Sequence, residues 1–535
     1  MSQFVVVGSG ASGVHFALTL LKKGHDVQMF DIGHDKAPPV REGDGLNAVK
    51  EALDDPVAYF LGPRYEAVTY GDSQSDFYSF PPSKRHVFSR PPEMPFKTKG
   101  FAPLISFARG GLGEVWTSGV YPFNDDELSD FPIAYPDLRP GYEEVARRIG
   151  VTGEDDALAR FMPVHDHMMS PLRLDVHSES LLSTYARHRD EFARKYGCYL
   201  GRSRVAVLTA DLGARVACDY LGRCIWGCPS QSFYTPSITL DECMTYPNFT
   251  YVPQMCVSHF ACNGAGRVDR VVARPVGGGS EQAFPVEKLA LAAGTMCTAR
   301  IFLESVRREG GECAELHGLM DNRQILVPFV NLAMIGKAYD PESYQYHLLA
   351  LGIEGDEPKD YVHGQITCLT TALVHPIIQK IPFDLRTAVG VFRNMRSGLG
   401  ILNVNFADTR RHGNMIALEH NGKGESTFHV IYRPEPNEKQ RMAKYMRKVK
   451  KAMRRLRCIV PPGTPRVREK GASVHYAGTL PMSTERKRFS TSPQCESHDF
   501  ENLYIVDGST YPFLPAKNIT FTLMANAVRV AESIA

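Results

Sequence analysis

Apolar and polar positions alternate with different periods in different parts of the chain. Phe4–Val7 is a continuous apolar run and predicts a buried strand. Val14–Lys23 has helical spacing, Gly24 ends it, and "DVQMFD" predicts a second strand closing on Asp31. Residues 34–108 lose this regularity and are rich in proline, as in "FPPSKRHVFSRPPEMPF" at 80–96. They predict a long surface excursion, either a plain loop or one that borders a ligand or a subunit contact. Four strand-like pieces follow between 203 and 295: "RVAVLTA", "NFTYVPQMCVSHF", "VDRVVARP" and "EKLALAAG". The last holds a continuous apolar run after Glu287 and Lys288 and leads into the helix-like "TMCTARIFLES", which makes a second βα unit. Residues 325–433 alternate and predict an antiparallel sheet with one face covered. At 436–458, Met442, Tyr445, Met446, Val449, Met453 and Leu456 share one helical face among ten basic residues. This helix is expected to pack on its apolar side, contact with an anionic surface being the alternative. The chain closes with a strand, "LYIVDGS", and a helix, "ITFTLMANAVRVAESIA", entered through Asn518.

Length and charge narrow the picture. The 535 residues exceed one ordinary domain, so two interleaved lobes are expected. With 61 basic and 59 acidic residues nothing calls for a nucleic acid. No export signal and no apolar run long enough to span a bilayer are visible, so the 12 cysteines read as reduced thiols and the location as cytoplasmic. Cys218, Cys224 and Cys228 share a loop whose spacing fails the ferredoxin pattern, so no metal is expected.

The candidate chemistry begins at the amino terminus. Gly8, Gly10 and Gly13 form G-x-G-x-x-G between strand and helix. The first permits a tight turn, the second close approach to a pyrophosphate, the third packing of helix on strand. Asp31, 18 residues beyond Gly13, is placed to bind a ribose hydroxyl. NAD and FAD are not separated by this motif. Gly110, Gly111 and Gly113 beside Trp116 suit a flavin or a tight turn. His475, in "GASVHYAGTLPM", has no role that its neighbours alone define.

Taken in order, these stretches resemble the glucose–methanol–choline (GMC) oxidoreductases along nearly the whole chain. The opening motif, "GGLGEVW", "NFTYVPQMCVSHF", "LALAAGTMCTARIFLES", "HYAGTLPM" and "YIVDGSTYP" with "NITFT" each resemble a family segment. The resemblance implies an α/β fold. An FAD-binding Rossmann-like domain (1–126, 203–312, 466–535) would join a substrate domain (127–202, 313–465) built on an antiparallel sheet flanked by helices. It implies FAD held by Gly8, Gly10, Gly13, Asp31, Gly110, Gly111, Trp116, Val257, Asp507, Gly508 and Thr520. It also implies a pair facing the flavin: His475 takes an alcohol proton as hydride passes to flavin N5, and Asn518, 43 residues on, holds the same oxygen. The helix after Asn518 would favour the reduced anionic flavin. Two departures stand out. The family's Asn-Pro is Asn-Ile here, which leaves that turn less rigid. "GGLGEVWT" resembles the pyranose-oxidase loop that bonds covalently to FAD through histidine, and Val115 stands at that position, implying non-covalent FAD. The same loop points to a sugar or glycoside hydroxyl as substrate, with O2 or another electron acceptor. A sterol, aliphatic or aromatic alcohol, or a flavin-bound lyase, are the alternatives. A homo-oligomer is left open.

Overall fold

The computed structural model describes residues 4–35, 45–62, 65, 81–89, 96–369, 374–379, 381–420 and 426–535. Its first layer is built from β1 (Phe4–Val7), α1 (Ala11–Lys22), β2 (Val27–Phe30), β3 (Phe249–Val252), β4 (Lys288–Leu291), α2 (Thr295–Gly310), β5 (Leu503–Ile505) and α3 (Thr520–Ile534). The five strands form one parallel sheet in the order β5-β4-β1-β2-β3. β1 is buried along its whole length, as its unbroken apolar sequence requires when helices cover both faces. The register aligns Ile505, Leu291, Val7, Phe30 and Val252 in one row. Chain segments leaving that row therefore emerge side by side: Gly8, Asp31, Ala292 and Val506. β1 lies between strands reached by crossovers in opposite directions, the place where such sheets open a crevice.

The second layer is an antiparallel sheet. Cys458–Ile459, Arg323–Asn331, Leu399–Phe406, Val362–Cys368, Leu349–Ile353 and Cys198–Arg202 follow one another across it, with Arg466–Val467 also paired to Arg323–Asn331. One face carries Ile325, Val327, Leu351, Ile366, Leu402 and Val404 and is covered by the helix Glu438–Arg455 through Met442, Tyr445, Val449 and Met453. The opposite face presents Gln324, Gln365 and Asn403 to the crevice of the first layer. Period-2 alternation thus sorts one strand set into an apolar back and a polar front.

Three expectations need correction. The stretch 325–433 divides between two sheets. Met415–His420 and Ser426–Ile431 pair with each other, and Ile416, Leu418, Phe428 and Val430 pack in the core around α2. Their apolar alternation serves a different neighbour, which periodicity alone does not name. "RVAVLTA" is no ladder strand: Val205 and Val207 make isolated bridges only, and the Arg204 side chain is buried among them, donating to the carbonyls of Met162 and Pro163. "NFTYVPQMCVSHF" is two strands, broken at Gln254, which has φ +59°. Much of the excursion at 34–108 lies outside the described residues. Its end does not: Phe101, Ile105 and Phe107 are buried.

Among the described residues, no helix is long and apolar enough to cross a membrane. The basic helix holds to the sheet by its apolar side, so truncation there should be costly. Met453→Ala is expected to destabilise by about 2–5 kcal/mol in urea unfolding. Lys450→Ala, on the exposed face, should change stability by about 0.5 kcal/mol or less.

Candidate active site

A long cavity opens where the parallel strands end. It encloses about 1880 Å3 of non-protein space, the solvent at its mouth included. Three helix N-termini converge on it: α1 behind Gly10, α2 behind Gly294 and α3 behind Ile519. None has a side-chain cap and none has an acidic residue in its first turn. Unspent N–H groups and three positive dipole ends therefore face one space, which suits phosphate and other anionic groups.

The glycines divide by what limits them. A Cβ at Gly13 would stand 2.0 Å from the Gly8 carbonyl oxygen, and one at Gly8, whose φ is +103°, would stand 2.7 Å from that of Ala292. Both are fixed by the protein's own packing. Gly10 has nothing within 4 Å of such a Cβ, so the protein itself does not require glycine there. A ligand pressed against that backbone would. Asp31 follows β2 at the cavity wall and accepts hydrogen bonds from Ser9 Oγ and, at 3.1 Å, from Tyr251 OH. Burial raises its carboxyl to about 6. Ser9 Oγ also accepts from the Gly110 N–H at 2.9 Å and so joins the two glycine loops. Gly111, φ +63°, packs against Gly10. Trp116 borders the cavity and donates through Nε1 to the Tyr234 carbonyl at 2.8 Å. Val257 borders it from the far side. Asp507 accepts from Thr298 Oγ1 at 2.5 Å, and burial pushes its carboxyl upward. Gly508 lets the Tyr476 carbonyl pass, since a Cβ there would meet that oxygen at 2.5 Å.

His475 and Asn518 both line the same cavity. His475 is 7% exposed, and burial, aided by Arg468, lowers its pKa to about 4. Its Nδ1 meets Asn322 Oδ1 at 3.0 Å, which leaves Nε2 as the ring atom for the cavity. Asn518 Oδ1 accepts from Gln365 Nε2 at 2.7 Å, which leaves the Asn518 amide nitrogen as its cavity-side donor. The preceding Lys517 is fully buried and donates to Glu127 at 2.6 Å and to the carbonyls of Pro122 and Phe161. That anchor holds the turn which Asn-Ile, without proline, would leave loose. Val474, next to His475, has φ +61°. For a β-branched residue this is a strained conformation, costing on the order of 1–3 kcal/mol, and such outliers cluster at functional sites.

Residues 409–527 match the family model described as GMC oxidoreductase. This segment is a GMC oxidoreductase C-terminal domain. It contains both His475 and Asn518. Solved structures share the fold of nearly the entire chain. Pyridoxine 4-oxidase from Mesorbium loti superposes with a TM-score of 0.60 at 12% identity, covering 100% of this chain and 99% of that one. A formate oxidase gives 0.60 at 13% identity, over 99% and 97%. An FAD-dependent oxidoreductase from Chaetomium thermophilum gives 0.58 at 13% identity, over 100% and 99%. No curated protein matches the sequence. The GMC domain, the uncapped helix ends and the open ground at Gly10 together fit FAD.

Of the residues singled out from the sequence, Gly8, Gly10, Asp31, Gly111, Trp116, Val257, His475, Asp507, Gly508, Asn518 and Thr520 border this cavity. Gly13 and Gly110 stand behind it, as supports. Ser9, Gln324, Gln365, Asn403, Arg468, Asn322 and Asp321 were not singled out. Gln365 and Asn403 left a signal: each is a polar residue at an alternating position of its strand, beside His363 and Thr367 in one and Asn405 in the other. Cys218, Cys224 and Cys228 sit in a loop packed near Trp116, with Cys228 Sγ against Ser230 and Ser232. Among the described residues no three His, Cys, Asp or Glu side chains are grouped to hold a metal ion.

The two kinds of glycine give opposite outcomes. Gly10→Ala should leave thermal stability of the apoprotein unchanged while FAD retention falls at least tenfold. Gly13→Ala should lower the apoprotein's unfolding midpoint, since the methyl group has no room. Equilibrium unfolding and flavin fluorescence titration of both variants check this.

Proposed function

We propose that this chain oxidises an alcohol group, on a sugar or glycoside, to a carbonyl, with FAD bound non-covalently in the cavity. The observation that carries the reading is the pairing of an acceptor with a donor beside the cofactor cradle. His475 keeps Nε2 free of its contact with Asn322, and Asn518 offers an amide N–H, held in place by Gln365. An alcohol there can donate its hydrogen to Nε2 and accept from Asn518 with the same oxygen. FAD, when bound, supplies the acceptor for the two electrons and the hydrogen leaving the carbon. His475 takes the hydroxyl proton, and Asn518 keeps the oxygen in position while its negative charge grows. Burial keeps the imidazole neutral at physiological pH, so the base is ready without prior deprotonation.

The sugar assignment is supported by the sheet front. Gln324, Gln365 and Asn403 can both donate and accept, which suits a ring with several hydroxyls. Val115 borders the cavity where the pyranose-oxidase loop carries its linking histidine, which supports a dissociable cofactor. A second reading, a non-sugar aromatic alcohol, draws on Phe88, Val115 and Trp116 in the same lining and on the likeness to a pyridoxine 4-oxidase.

A panel of pyranoses, glycosides and simple alcohols, added without oxygen, distinguishes these. The flavin band should bleach with a carbohydrate; bleaching by aromatic alcohols alone would move the substrate to the second reading, and readmitted air sorts oxidase from dehydrogenase. His475→Ala should retain FAD and reduce it about 10²-fold more slowly or worse. For the unaltered enzyme, kcat/KM should stay level from about pH 8 down to about pH 5 and fall below about pH 4, as Nε2 takes a proton from solvent. Acid precipitation should release the yellow colour into the supernatant.

A further inference from the structure

His475 is oriented from behind by a neutral amide. Asn322, 1% exposed, sits between the short strand Met320–Asp321 and the long strand Arg323–Asn331. Its side-chain nitrogen donates to two backbone carbonyls, Phe406 and Pro515, each at 2.9 Å. Both amide hydrogens are used. A flipped amide would set its oxygen against those two carbonyl oxygens and forfeit both bonds. The atom facing His475 Nδ1 at 3.0 Å is therefore the amide oxygen. An oxygen that only accepts requires a hydrogen on Nδ1, and a neutral imidazole carries just one.

We propose that Asn322 is a positioning residue that holds His475 in its Nδ1–H tautomer, leaving the lone pair on Nε2 for the substrate hydroxyl. This rests on the reading of His475 as the proton acceptor. The same residue spans the parts that must agree. Phe406 ends a strand of the polar-fronted sheet, and Pro515 belongs to the turn that delivers Asn518. One amide thus ties the base, the sheet and the second site residue together. When Nε2 gains the substrate proton, the Nδ1–H bond to Asn322 persists and becomes charge-assisted. Asn322 itself cannot ionise, so the site's charge is left to others. Arg468 faces His475 and disfavours the imidazolium; His363 lies near it; Asp321 accepts from Ser473 Oγ, which in turn accepts from the His475 N–H at 3.0 Å. A carboxylate at 322 would change that balance, and an apolar side chain would leave the tautomer unspecified.

The test compares Asn322→Asp, Asn322→Leu and the unaltered holoenzyme. Asn322→Leu should lower the rate of flavin reduction by about 10- to 100-fold with KM within about twofold. Asn322→Asp should keep FAD and move the acid limb of the reduction profile upward by about one pH unit or more, because a carboxylate beside Nδ1 favours the imidazolium. An amide that braced only the backbone, without touching Nδ1, would leave that limb in place on this exchange. Nitrogen NMR of 15N-histidine-labelled holoenzyme, with the signal assigned by its loss in His475→Ala, should show the proton on Nδ1. This reading needs no variant at Asn322 to fold. A proton on Nε2, or an Asn322→Asp profile that overlays the original, overturns the proposal. If His475→Ala reduces flavin at the normal rate, the role of His475 itself fails instead.

Discussion

The Asp321 carboxylate accepts hydrogen bonds from the Gly471 N–H at 2.8 Å and from Ser473 Oγ at 2.5 Å, with no exposure to solvent. The rest of the site depends on this clamp. It fixes the loop that enters β-structure again at Tyr476, with Val474 strained and His475 turned inward. Burial raises the Asp321 carboxyl to about 7, while the bonds from Ser473 and Gly471 pull it down. The neighbouring Asn322 then holds the imidazole carried by that loop. Two consecutive residues at the mouth of one long strand thus set both the path of the backbone and the face of the ring.

From there the architecture is a meeting of two sheets. The parallel sheet contributes a row of strand ends, with Asp31 and Asp507 beside them, and three helix N-termini with no acid in their first turns. The antiparallel sheet contributes amide side chains on its front and buries its apolar back under a helix. Asn518 bridges them. It stands two residues before the final helix of the first layer, whose N-cap is Ile519 without a side-chain cap, and its orientation is set by Gln365 from the second. In the function proposed above, the helix ends of such a cavity take the anionic groups of FAD and the amide front takes the substrate's hydroxyls.

Much of the first layer was legible because its signals are local. A strand, spaced glycines, a helix and an acid follow one another within residues 4–31, and the structure sets them where local rules predict. The basic helix was legible for the same reason, since one face repeats every three to four residues. The middle was not. Alternation in 415–431 is as clear as in 399–406, yet the two stretches serve different sheets, because pairing partners are chosen by distant neighbours. Asn322 was invisible for a related reason. Its importance comes from Phe406, Pro515 and His475, which lie 84, 193 and 153 residues away. His475 itself became legible only through the family resemblance, not through its own surroundings.

The central claim is that His475 and Asn518 act on one substrate oxygen. A double-mutant cycle measures this directly: the anaerobic rate of flavin reduction in the unaltered enzyme, His475→Ala, Asn518→Ala and the double variant, each loaded with FAD. If both side chains hold the same oxygen, the double variant should lose much less than the product of the two single losses. Losses that simply multiply would mean that the two residues act independently, and would contradict the account.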